Sequence, residues 1–347
     1  ISLFLNPIGG AVADRFKRRK ILLVTDFVGG LMCLLLALIG TDHIMLYGLI
    51  SVNAILAISH AFSGTSFRSY VVSLVEKDRL VDFNAKLEVI SQIISISSPL
   101  LAYLFVDRFG LKPTLLLDSL TFFLSFALLF SIRHQEKHVE GPREAASVGA
   151  ILRDIREGLL FIFHEKEVFF LLVVAALVNF FIAAYNYLIP FSNHLFSDSS
   201  SYATLLSMGA AGSILGALFA KKLFQNSHTS LLFSLALSGI GLALITPLAM
   251  FGLPAVIISS GNLIFEFFLT IFNIHFFSMV QKKVPNELLG RVFSSIFTVA
   301  VIFMPLATSL MTALPFSVHI LTFAILGLAI LLMSGLAFLY SRLNLNE

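Results

Sequence analysis

Of the 347 residues, 58% are hydrophobic and 12% are charged, against about 45–50% and 25% in soluble domains. So large an apolar excess excludes a soluble globular domain. The net charge of +3 comes without a nucleic-acid motif, since the basic residues form short clusters between apolar runs. A single cysteine, Cys33, rules out an intramolecular disulfide, and no Cys/His spacing suits zinc.

In chain order, the sequence opens on an apolar stretch that runs to about residue 13 and reads as the tail of a membrane helix. The expectation is therefore a chain whose first helix, and part of whose second, lie upstream. A bilayer core about 30 Å thick takes roughly 20 apolar residues in a helix, because unpaired backbone groups cannot face lipid. On that rule ten more spans follow, at 21–40, 45–67, 86–106, 111–132, 167–191, 203–220, 229–250, 253–279, 291–313 and 316–341. Arg15 to Lys20 fill the loop after the first span, and alternate loops from there hold 21 of the 23 Lys and Arg residues; only Arg108 and Lys112 lie on the other side. By the positive-inside rule the basic loops and the C-terminus are cytoplasmic, in a bacterial cell membrane.

Residues 133–166 form the only long polar interval and divide the chain into an N-terminal bundle (1–132), a cytoplasmic linker (133–166) and a C-terminal bundle (167–347). Gln135–Ser147 is charged and contains Gly141-Pro142, which reads as a linker. Next, Ile151, Leu152, Ile155, Leu159, Ile162 and Phe163 share one face of a helix, with Arg153, Asp154, Arg156 and Glu157 opposite. That pattern suits a helix lying on the membrane interface or one packed on the bundle ends. The two bundles look duplicated. Gly10 and Gly216 are 206 residues apart, as are Pro99 and Pro305, and Val75–Leu80 parallels Val284–Leu289 at 209. Parallel repeats of this kind are the build of alternating-access carriers.

The run Gly10-Ala11-Val12-Ala13-Asp14-Arg15-Phe16-Lys17-Arg18-Arg19 resembles the loop signature G-x-L-A-D-R-x-G-R-R/K of the major facilitator superfamily, with Lys17 in place of its second glycine. Val284-Pro285-Asn286-Glu287-Leu288-Leu289-Gly290-Arg291-Val292-Phe293 is similar to the VP-x-E-x-x-GRVF segment of that family's macrolide-efflux and siderophore-exporter branch. Ser98-Pro99 stands where its exporters often carry Gly-Pro. The resemblance implies an all-α polytopic membrane protein of two pseudo-repeated six-helix bundles. It also implies a conformational latch in which Gly10, Asp14, Arg15 and Arg18 meet the helix start at Gly290 and Arg291. From the residues alone, Asp14 can pair with Arg15 or Arg18, or accept hydrogen bonds from exposed helix N-terminal amides. Gly10 lets a neighbouring helix approach. Arg15 to Lys20 also serve as a topology anchor. The family's fourth-helix arginine, used in proton coupling, has no counterpart before Arg68.

An ionisable group inside a span costs roughly 2.5–3.5 kcal/mol for Asp on insertion scales, so each one needs a reason. Glu266 is central in its span, and Asn262, Glu266, Thr270 and Asn273 fall within about 80° of a helical wheel. In family order that is the cavity-lining tenth helix. Asn179, Ala183 and Asn186 share a face of the seventh, near Pro190, and Asn53, His60 and Gly64 a face of the fourth. The resemblance implies that the three stripes converge. Glu266 is then expected to bind a proton or a cationic substrate, with Asn262, Thr270, Asn273, Asn179, Asn186, Asn53 and His60 supplying hydrogen bonds. The alternative role for these groups is interhelical bonding. Asp26 and Asp118 are read as structural, Asp26 by pairing with Lys20 or water, and Glu88 as a residue of the water interface.

The functional expectation is a secondary transporter, an exporter or antiporter of small amphipathic or hydrophobic solutes. It is expected to be a monomer in the bilayer, with no bound cofactor or metal and a proton gradient as the driving partner. Lysophospholipid or metabolite transport and a non-transporting membrane role are the alternatives. A membrane enzyme would need a carboxylate pair for a metal, an H-E-x-x-H, or a nucleophile with its base, and none is spaced to work. A channel would not account for the duplicated halves.

Overall fold

The computed structural model describes residues 2–39, 42–132, 148–224, 227–314 and 317–344. The linker read at Gln135–Ser147 lies outside the described residues, as does the side chain of Arg15. Apolar runs in lipid can satisfy their backbone only internally, and every element described is helical. They are α1 (Ser2–Arg15), α2 (Arg18–Ile39), α3 (Asp42–Leu74), α4 (Leu80–Phe109), α5 (Leu111–Ser131), α6 (Val148–His164), α7 (Lys166–Leu188), α8 (Ser192–Leu195), α9 (Ser201–Leu223), α10 (His228–Met250), α11 (Ala255–Ile258), α12 (Ser260–Lys283), α13 (Leu289–Ala313) and α14 (Leu321–Asn344). Nine helices among the described residues are long and apolar enough to cross a membrane.

Three ends differ from the hydropathy reading. The span expected at 253–279 is interrupted at Ser259, so that short α11 precedes α12, and α12 runs on to Lys283. α14 starts at Leu321 rather than 316, where the ring Nδ1 of His319 accepts from the Leu321 amide (3.1 Å). α7 ends at Leu188, and Pro190 lies in a short 3₁₀ turn, Ile189–Phe191, at a position where its missing N–H costs nothing.

The chain forms two compact units. The first comprises Ile1–Glu76, Ile96–His164 and Val284–Thr298; the second comprises Lys77–Ser95, Glu165–Lys283 and Val299–Glu347. They differ from the sequence halves in two segments, because the start of α4 packs in the second unit and the start of α13 in the first.

In the first unit α2 lies against α5. Ser119 Oγ donates to the Gly30 carbonyl (2.8 Å), and Cys33, Leu36, Ala37, Val52 and Leu115 form a buried cluster. Asp26, expected to pair with Lys20 or water, instead accepts from Ser125 Oγ at 2.7 Å. In the second unit α9 packs on α12 through small residues. A Cβ added at Gly212 would lie 3.0 Å from the Leu263 carbonyl carbon, and one at Gly216 3.1 Å from that of Phe267. Both would overlap the carbonyl oxygens, so the helix backbones touch. Gly212→Leu is expected to destabilise the protein by about 1–3 kcal/mol through overpacking. Gly64→Ala, where a Cβ meets nothing within 4 Å, should cost nothing and stabilise α3 by up to about 1 kcal/mol. Detergent thermal melts of the two variants check both.

Candidate functional site

Two buried polar clusters stand out, one in each unit. In the first, α1 ends against the start of α13. Asp14, whose side chain is fully buried, accepts from the backbone amides of Gly290 (3.0 Å) and Arg291 (3.2 Å). These are orphan amides of a helix N-terminus, where a carboxylate is favoured. Arg18 and Arg291 flank the carboxylate, each at 3.5 Å. Arg18 also donates to the carbonyls of Ser69 (3.0 Å) and Asn286. Gly10 makes the approach possible, since a Cβ there would overlap Ser294 and lie 2.5 Å from the Gly290 carbonyl oxygen. Burial pushes the Asp14 carboxyl up to about 6, although Arg18, Arg291 and the two amides pull the other way.

Sequence reasoning missed the third wall of this cluster. Arg291 Nη1 donates to Glu157 of α6 (2.9 Å), and Gly158 lies so close that a Cβ would be 2.6 Å from that of Arg291. α6 therefore packs Gly158 and Ile162 inward while Leu159, Leu160 and Phe163 stay exposed. The signal for Glu157 was its place opposite the apolar stripe, which on its own reads as a solvated face.

In the second unit α7, α9 and α12 enclose the other cluster. Tyr185 Oη donates to Asn262 Oδ1 (2.6 Å), and Asn262 Nδ2 donates to the Leu205 carbonyl (2.8 Å). One turn on, Glu266 accepts from Ser213 Oγ at 3.3 Å, and Glu88 of α4 lies in its surroundings. Tyr185 packs edge-on against Phe265 at 5.0 Å, which fixes its ring. Glu88 itself accepts from Gln92 (2.9 Å) and is half-buried. Tyr185→Phe should keep the fold but leave a buried acceptor on Asn262 unpaired, costing about 1–3 kcal/mol. A lower melting temperature and a weakened substrate KM would register it.

The remaining candidates are placed as follows. Thr270 is buried on α12, and Asn273 is half-buried one turn further. Asn179 turns back to its own helix, donating to the Ala175 carbonyl (2.8 Å), and Asn186 is exposed. On α3 of the first unit, Asn53 donates to the Leu49 carbonyl (2.9 Å), and both it and His60 are exposed. The structure thus groups Asn262 and Glu266 with Tyr185, Ser213 and Glu88. The last three were missed because a Tyr, a Ser and an end-of-helix Glu carry no periodic signal of their own.

At the start of α4 the second unit carries a counterpart of the Asp14 junction. The 209-residue offset of Val75–Leu80 from Val284–Leu289 takes Gly290 to Val81, and the 206-residue offset of Gly10 from Gly216 takes Asp14 to Ala220. Buried Asn84 donates to Ser278 Oγ (2.9 Å) and Gln281 Oε1 (2.8 Å), beside an apolar contact of Val81 with Ala217 and Ala220. Lys221 pairs with Asp82 at 2.6 Å. The first junction thus turns on a buried carboxylate, and the second on a buried amide with an ion pair beside it.

A polytopic helical protein with repeated halves and a half-buried carboxylate on an apolar helix is built as a membrane transporter. The chain belongs to the Major Facilitator Superfamily, whose sequence profile matches residues 1–308. It is 23% identical to macrolide efflux protein A of Enterococcus faecalis over 312 residues, spanning 87% of this chain and 93% of that protein. A bacterial homologue of the iron transporter ferroportin, solved in an outward-facing state, superposes with a TM-score of 0.73 at 16% identity, covering 97% of this chain and 86% of its own. The human organic anion transporter MFSD10 gives 0.74 at 15% identity, with 96% and 80% covered. At such identities the two structures share the fold.

Proposed function

We propose that this protein is a secondary active exporter of small amphipathic or hydrophobic solutes, of the macrolide-like class, working by alternating access and driven by protons. It acts as a monomer in a bacterial cytoplasmic membrane, with the basic loops and C-terminus inside, and uses no bound cofactor. The observation that carries this reading is Glu266, a carboxylate set among Ser213, Tyr185 and Asn262 on a helix that is otherwise apolar. A carboxylate in such surroundings is stabilised by a proton or a cationic solute, and either one couples binding to charge. The Asp14 cluster acts as the gate of its junction, and Asn84 with its partners as the gate of the other. Relatedness to a macrolide efflux protein and the exporter-type segment Val284–Phe293 support the direction of transport.

The test is flux of amphipathic cationic dyes and macrolides in proteoliposomes under an imposed pH gradient. Saturable export that collapses with a protonophore and shows counterflow is the expected result. Unsaturable flux would indicate a pore, and flux indifferent to the gradient would remove proton coupling.

A further inference from the structure

On its outer flank the second unit carries a groove that the transport cluster does not use. α7 and α14 meet at two aromatic pairs. Tyr185 and Phe323 stand 6.4 Å apart, and Phe170 and Tyr340 stack at 5.9 Å and 11°. Between the pairs the helices part and leave a cavity of about 690 Å³. Its walls are apolar, with Phe169, Val173 and Leu177 on α7 and Leu332, Leu336 and Ala337 on α14. On each helix the lining positions recur at three and four residues, so each contributes one continuous face. The outer rim is open, with Leu332 68% and Leu336 70% exposed.

Length places this groove in one leaflet. From Phe169 to Leu177 is about 12 Å of helix, and from Ala329 to Tyr340 about 16 Å, at 1.5 Å per residue. That is half of a hydrocarbon core about 30 Å thick. The half is the one toward the basic loops, since α7 begins at Lys166 and α14 ends at Asn344. Lys166 continues the groove face of α7 one turn before Phe170, and it is exposed. Among the described residues it makes no ion pair, whereas the adjacent Glu167 is engaged by Lys283 and lies 3.9 Å from His228. On the α14 side Asn344 donates to the Tyr340 carbonyl (3.2 Å). The mouth is therefore polar, with Lys166 as its cation, while the body is hydrocarbon-like.

We propose that this groove is a binding site for one acyl chain of an anionic phospholipid from the leaflet on the basic side, with the headgroup phosphate held at Lys166. An apolar cleft open to the bilayer is filled by lipid chains in any case, and the cation at its mouth selects which lipid stays. The site lies apart from Glu266, so the proposal stands whatever solute the protein carries.

The chain contains no tryptophan, so a single one reports its surroundings. Full-length Leu336→Trp is reconstituted in phosphatidylcholine vesicles doped with a minor fraction of brominated phosphatidylglycerol or brominated phosphatidylcholine. Brominated phosphatidylglycerol should quench position 336 roughly fivefold more effectively, the preference expected of one basic side chain at an anionic headgroup. Lys166→Glu should abolish that preference, and Ala337→Phe, which fills the groove, should weaken it. Phe233→Trp, on the exposed face of α10 in the same leaflet, should show no preference. Equal quenching by the two lipids at position 336 would overturn the proposal. So would a preference that survives Lys166→Glu, or one that is as large at position 233 and hence belongs to the bulk annulus.

Discussion

Replacing Glu266 with Gln is expected to abolish proton-driven export while leaving substrate counterflow intact. The amide fills the same volume and keeps a hydrogen bond with Ser213 Oγ, which lies 3.3 Å from the carboxylate, so packing and the Tyr185–Asn262 bond survive. What disappears is the charge. A carboxylate within a span costs about 2.5–3.5 kcal/mol, which is roughly a hundredfold in an equilibrium, and binding a proton or cation recovers it. A neutral Gln has nothing to recover, so the gradient loses its grip on the transport cycle. Uphill flux should fall by about two orders of magnitude, and the remaining exchange should lose its pH dependence. Flux in proteoliposomes, with and without an imposed gradient, separates the two effects. Wild-type pH dependence in Glu266→Gln would assign coupling elsewhere.

The second large effect is expected at Asp14. The carboxylate accepts from two helix-terminal amides with its two oxygens. Asn keeps one acceptor and turns a donor toward the other amide, so a buried N–H is left facing an N–H. One hydrogen bond to a charged group contributes about 1.5–3 kcal/mol, so opening of this contact should become at least about tenfold more frequent. Ser294 is buried against Gly10, so the labelling rate of Ser294→Cys by a water-soluble maleimide, with Cys33 replaced by Ser, reads the opening directly.

The pH dependence of the same contact has a definite sign. Burial lifts the Asp14 carboxyl from 3.8 to about 6 in the closed contact, and in an open, hydrated contact it returns toward the lower value. The closed state therefore binds the proton more tightly. Its added stability is full below about 3.8, declines as pH rises, and is gone above about 6. Labelling at position 294, normalised at each pH to the Asp14→Asn background, should slow as the pH is lowered from 7 toward 5. Arg291→Ala should move that transition to higher pH, because the guanidinium holds the carboxyl down. An unchanged rate across this window would show that Asp14 keeps its charge in the closed contact.

Much of the architecture could be read without coordinates, because lipid allows few solutions. A run of some 20 apolar residues has to be a helix, and the alternation of Lys and Arg clusters tied the spans into one order. The places where helices stop were harder. Ser259 breaks a continuous apolar run and Leu321 begins late, and local turn hydrogen bonds decide both, not hydropathy. The site divided in the same way. Glu266 and Asn262 announced themselves as polar residues on an apolar helix. Asn53, His60, Asn179 and Asn186 shared faces as expected, yet Asn53 and Asn179 spend their donors on their own helix carbonyls. Periodicity places a side chain on a face but does not choose its hydrogen-bond partner.

The sequence by itself determined that this is a multi-pass helical protein of two related halves, with a basic face and a few polar residues on apolar helices. Those properties follow from the cost of exposing backbone and charge to hydrocarbon, which each segment meets on its own. Only the tertiary structure decided that Tyr185, Ser213 and Glu88 surround the Glu266 turn, that Glu157 of α6 completes the Asp14 cluster, and that α7 and α14 part to leave a groove. Each of these depends on which helices touch and at what height. That is set by small-residue contacts such as Gly10 and Gly212 between segments tens to hundreds of residues apart, where no local pattern records the pairing.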